Sequence, residues 1–132
     1  EPFQMKTGAD LPGRSPDILF VSQQHLHRLK PTYLDGPADL VVEIISPESE
    51  ERDRTQKFSE YERGGVREYW LIDPEKRLAE FYVLGEGGRY GLRFRGDAGE
   101  YRSVVLEGFW LRVEWLWQLP AEVHVLQEWG WM

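Results

Sequence analysis

Apolar positions arrive along this chain in short runs, each bounded by glycine, proline or charge. Residues 40–45 are apolar on both alternating faces except at Glu43, and Pro37 and Pro47 bound the run. A short β-branched run of this kind predicts a strand over 39–46 that is covered on both sides. Before it, 3–6 alternates, 10–13 supplies turn residues and 18–21 is apolar, which predicts a hairpin over 1–21. Ser22 is placed to cap a short helix, and Pro31 and Gly36 bound a loop that leads to the central strand. Ser46-Pro47-Glu48 reads as a helix start, with Ser46 as N-cap and Pro47 at the first helical position. That helix is expected to run to Arg63 and stop at Gly64-Gly65. Along it Glu50 pairs with Arg54 and Asp53 with Lys57 at i, i+4, and Arg54, Phe58 and Tyr61 form a stripe.

A strand over 66–73 follows the helix. Strand, helix, strand in that order predicts a crossover and a parallel pair. Residues 78–84 return as an antiparallel strand after a turn at 73–76. In 89–95, Arg89, Arg93 and Arg95 fall on one face and Tyr90, Leu92 and Phe94 on the other. Residues 101–106 and 109–113 read as short strands. Trp110, Trp115, Trp117, Trp129 and Trp131 crowd the tail, where core packing or a homodimer contact accounts for them better than base stacking.

Composition narrows the picture. The 132 residues are 41% hydrophobic and 14% aromatic, which fits one globular domain spanning the chain. No apolar run approaches the roughly 18 residues that cross a membrane, so no membrane partner is expected. The absence of cysteine removes thiolate metal sites and fits a cytoplasmic protein. A net charge of −7 argues against coating nucleic acid by charge alone, but leaves room for a local basic groove. The chain opens at Glu1 on what reads as a strand, so an N-terminal portion is expected to be missing.

Three polar residues stand out against this pattern. Glu43 places a carboxylate in a core strand, where it needs a cation or hydrogen-bond donors. It reads either as a metal ligand or as a satisfied structural acid. Asp17 stands at the mouth of the 18–21 strand after Pro16; it either points into a cleft or only turns the chain. If its strand pairs with the central one, Asp17 lies opposite Glu43 with side chains about 5 Å apart, a separation that suits one divalent ion. Asp39 lies four residues from Glu43, roughly 13 Å along the strand, too far to share that ion. Lys57 either leans back toward the acids or is an ordinary solvated lysine paired with Asp53. His25 and His27 face different ways on a helix and read as surface residues.

Ser15-Pro16-Asp17 before a strand, Asp39 to Pro47, and Lys57 to Tyr61 followed by Gly65 to Asp73 stand in one order. This set resembles the Uma family of restriction endonucleases, within the PD-(D/E)XK nuclease superfamily, over residues 14–113. The resemblance implies an α/β (α+β) restriction-endonuclease-like core, a mixed sheet flanked by helices, with the superfamily's N-terminal helix absent from this chain. It implies a Mg²⁺- or Mn²⁺-dependent endonuclease acting on DNA. Asp17 matches the Pro-Asp carboxylate and Glu43 the second acid; these and the Ile44 carbonyl would hold the ion. Position 45 is isoleucine where the superfamily has lysine, and Lys57 on the next helix matches the displaced lysine. The alternative is a catalytically inactive nuclease-fold domain that acts in binding or homo-oligomer assembly.

Overall fold

In the computed structural model, which describes residues 3–131, the apolar runs fold into strands with helices on either side. The strands are β1 (Gln4–Lys6), β2 (Ile18–Phe20), β3 (Tyr33–Asp35), β4 (Leu40–Ile44), β5 (Glu68–Asp73), β6 (Leu78–Leu84), β7 (Tyr90–Gly96), β8 (Glu100–Arg102) and β9 (Trp110–Arg112). The α-helices are α1 (Lys57–Gly64) and α2 (Glu122–Glu128). A five-stranded sheet in the order β2-β4-β5-β6-β7 carries the fold. β4 and β5 are parallel, as a strand–helix–strand unit requires, and the other pairs are antiparallel. Every residue of β5 is buried, and β4 is buried from Leu40 to Glu43.

Alternation along β4 and β5 divides the core into two layers. Val41, Ile45, Tyr69 and Leu71 pack beneath Tyr61 of α1, with Met5, Leu34 and Val66. Leu40, Val42, Trp70 and Ile72 face the other way, onto Phe81, Tyr101, Leu111 and Val113. Each of these large side chains gains about 1.5–3 kcal/mol on full burial, so the two layers press the sheet between them. Glu43 alternates with Val42, so its side chain enters the α1 layer. Trp115 and Trp117 pack against the second layer, which accounts for part of the tryptophan tail; Trp131 is largely exposed.

Four local expectations are corrected. The hairpin over 1–21 does not form: β1 pairs in parallel with β3, and β2 pairs antiparallel with β4. Met5 and Leu34 both bury completely in that arrangement, which adjacency along the chain does not offer. The 31–36 loop therefore contains β3. The helix after β4 begins three residues late: 47–49 form a turn, and the Asp53 N–H donates to the Ser49 carbonyl at 2.9 Å. Finally, the register shifts between Phe81 and Tyr82 opposite β7, so Tyr90 joins the α1 layer and Phe94 the other. A bulge of this kind breaks strict alternation, and the single-faced arginine row goes with it.

Candidate active site

The antiparallel register of β2 on β4 pairs Ile18 with Val42 and Leu19 with Val41. Continued by one residue, it sets Asp17 opposite Glu43. The Asp17 N–H points at Glu43 Oε1 at 3.4 Å, and Asp17 Oδ2 accepts the Ile44 N–H at 2.7 Å. Asp17 itself is exposed, and its Oδ1 takes no hydrogen bond from a described residue. The two acids thus sit on neighbouring strands, one buried and one at the rim.

Glu43 is 2% exposed. Its Oε2 accepts the Tyr61 hydroxyl at 2.7 Å, and Lys57 Nζ lies 3.4 Å from the same oxygen. Burial pushes the Glu43 carboxyl above its ordinary range. The Tyr61 hydrogen bond and the Lys57 charge pull it back, while Asp53 and Asp17 add to the upward push. Burial, with Glu43 beside it, likewise drives the Tyr61 hydroxyl strongly upward, so Tyr61 stays a donor.

The helical turn that carries Lys57 is not an ordinary one. Residues Arg52–Gln56 form a π-helix, in which the Lys57 N–H reaches the Arg52 carbonyl, five residues back. An α-turn would have given that N–H to Asp53. The freed Asp53 carbonyl instead accepts the Tyr69 hydroxyl of β5 at 2.9 Å. Residues four apart on an α-helix drift about 40° around it. The wider turn offsets that drift, so Asp53, Lys57 and Tyr61 all face the sheet. Lys57 Nζ is 2.8 Å from Asp53 Oδ1, and Asp53 Oδ2 accepts the Ser49 hydroxyl at 2.8 Å.

The structure therefore brings Glu43 and Lys57 together and sets Asp17 beside them through backbone contacts. Ile44 lies at the end of β4 with its N–H turned to Asp17. Sequence reasoning missed two residues here. It placed Tyr61 on a stripe with Arg54 and Phe58, and it read Asp53 only as a surface partner of Lys57. The available signal was the four-residue spacing of Ser49, Asp53, Lys57 and Tyr61, polar groups that an apolar-stripe reading passes over. His25 is not a bare surface residue: its Nδ1 lies 2.7 Å from Asp39 Oδ1, at the opposite end of β4 from Ile44. Among the described residues no group of three His, Asp or Glu side chains is gathered to hold an ion by itself.

The chain as a whole, rather than these side chains, can be set beside known proteins. The family model described as "Uma2: Putative restriction endonuclease" matches residues 3–114. The chain belongs to this family. Its architecture is similar to the crystal structure of a putative nuclease belonging to DUF820 from Anabaena variabilis. The TM-score is 0.64 at 18% identity, covering 80% of this chain. That likeness shows the shared fold, a mixed sheet with helices on its faces. The chain spans 60% of the length of that neighbour. No curated protein matches it. No helix among the described residues is long and apolar enough to cross a membrane.

Proposed function

We propose that this chain carries the active site of a divalent-metal-dependent endonuclease that hydrolyses phosphodiester bonds of DNA. The observation that supports it most is the buried Glu43 with Lys57 Nζ at 3.4 Å and Asp17 on the neighbouring strand. Mg²⁺ is a hard ion that binds through one or two carboxylates and keeps several waters for itself and the substrate phosphate. The donor set fits it. Glu43 Oε1 has only a long contact to the Asp17 N–H, and Asp17 Oδ1 takes no donor from a described residue, so both oxygens carry spare acceptor capacity. Asp17, Glu43 and the Ile44 carbonyl would hold the Mg²⁺, or Mn²⁺ in its place. The ion supplies an activated water and charge stabilisation at the phosphate. Tyr61 holds Glu43 in one rotamer from the other side. Lys57 supplies a positive charge over the site, where it orients water or neutralises charge that develops on the phosphate.

The test is nicking of supercoiled plasmid by the protein with Mg²⁺ or Mn²⁺, beside Glu43→Gln. Metal-dependent nicking that the variant loses supports the proposal. Equal behaviour of the two proteins overturns it.

A second reading keeps the fold without the chemistry: a binding domain that assembles with its own kind. It is favoured by the tail, where Leu119, 89% exposed, borders an apolar cavity of about 560 Å³ and Trp131 is 71% exposed. Sedimentation showing a dimer that Leu119→Ser disrupts, in a protein without metal-dependent nicking, would select this reading.

A further inference from the structure

We propose that Asp53 is a positioning residue that fixes the Lys57 ammonium over Glu43. This rests on the reading above, in which Lys57 serves the reaction. Three observations carry it. Asp53 is 1% exposed, yet its Oδ1 accepts no hydrogen bond among the described residues. Lys57 Nζ stands 2.8 Å from that oxygen and is its ionic partner. A carboxylate this buried needs a compensating cation, and Lys57 supplies it, so the two side chains fix one another.

The second observation is directional. Asp53 Oδ2 is pinned by the Ser49 hydroxyl at 2.8 Å, which leaves Oδ1 as the oxygen turned to the ammonium. The third is the backbone. The π-turn lies between Asp53 and Lys57, and the Tyr69 hydroxyl occupies the carbonyl that the Lys57 N–H gives up. Ser49, Asp53 and Tyr69 therefore form a frame around one flexible lysine. A free lysine side chain samples many rotamers, and a frame of this kind removes that freedom before substrate arrives. Asp53 makes no hydrogen bond to Asp17, Glu43 or Ile44; its charge also reaches Glu43, so the position of the Lys57 side chain is the readout that isolates positioning.

The test uses the isosteric Asp53→Asn. The chain has four lysines, Lys6, Lys30, Lys57 and Lys76, so lysine-selective ¹³C labelling gives few side-chain NMR signals, and Lys57→Arg assigns the one of interest. Asp53→Asn is expected to move the Lys57 ε-methylene signal and leave the other three in place. In cleavage it is expected to lower kcat by roughly 100-fold, the scale of a misplaced group, with KM for DNA changed little. Combined with Lys57→Ala it should cost no more than Lys57→Ala alone. Should Asp53→Asn fail to fold, Ser49→Ala frees the same carboxylate and is expected to move the same signal. An unmoved Lys57 signal in the folded variant overturns the proposal, as do losses that multiply in the double variant. A wild-type protein that cleaves nothing contradicts the proposed function instead, and the NMR signal still decides the role of Asp53.

Discussion

At the scale of single residues, Glu43 sets the terms. A carboxylate in a core strand survives because Tyr61 donates to it and Lys57 neutralises it, yet burial keeps its pKa raised. The sign follows from proton linkage. The folded state binds more protons than the unfolded state between the ordinary value of 4.5 and the raised folded value. Stability is therefore lost as pH rises through that window and stays lower above it. In metal-free buffer, thermal unfolding of Glu43→Gln should gain on wild type as pH rises from about 4.5 to 7. Parallel stability curves for the two proteins would show that Glu43 is not strained by its site. Glu43 itself stood out in the sequence as an isolated acid in a β-branched run, open to a metal-ligand or a structural reading. Asp53 did not stand out. A helix pattern scores it as a solvated partner of Lys57, and only the direction of that face shows it to be buried.

Among the elements, the π-turn governs where Lys57 points. Its widening is held by the Tyr69 hydroxyl on the Asp53 carbonyl, a bond between helix and central strand. Tyr69→Phe removes only that hydroxyl. The expected cost is about 1 kcal/mol in chemical denaturation, with faster amide exchange at Lys57 and unchanged exchange in β6. Unchanged exchange at Lys57 would mean that the turn holds itself. Such a turn leaves no trace in periodicity, because a one-residue widening alters hydrogen bonds without altering residue types. β4 and β5 were readable because a buried strand needs a continuous apolar run and little else. The start of the helix was misread because Ser46-Pro47 has the right chemistry, while Ser49 makes the first helical bond. The 1–21 hairpin failed for a non-local reason. Met5 finds its burial beside Leu34, 29 positions away, and no local pattern carries that preference.

For the whole molecule, the sheet separates the α1 layer, which holds Glu43, Asp53 and Lys57, from a second layer of largely aromatic packing. The second layer has its own buried acid. Glu68 is fully buried at the start of β5 and accepts from Trp70 Nε1 at 2.6 Å, Tyr101 at 2.7 Å, and the Val104 and Val105 N–H groups at 3.0 and 2.8 Å. These bonds tie the loop between β8 and β9 to the main sheet. Glu68→Gln turns an amide N–H toward one of these donors whichever way it is placed. A loss of roughly 3 kcal/mol in urea denaturation is expected, and a loss below about 1 kcal/mol would refute the tie. Glu43 differs in kind: donors crowd its Oε2, while its Oε1 is left nearly free on the side of Asp17. That asymmetry is the core of the account, and Mn²⁺ titration followed by electron paramagnetic resonance tests it most directly. One Mn²⁺ per chain is predicted, with affinity lowered at least tenfold, about 1.4 kcal/mol, by Asp17→Asn and by Glu43→Gln alike. Mn²⁺ binding that neither substitution weakens would contradict it.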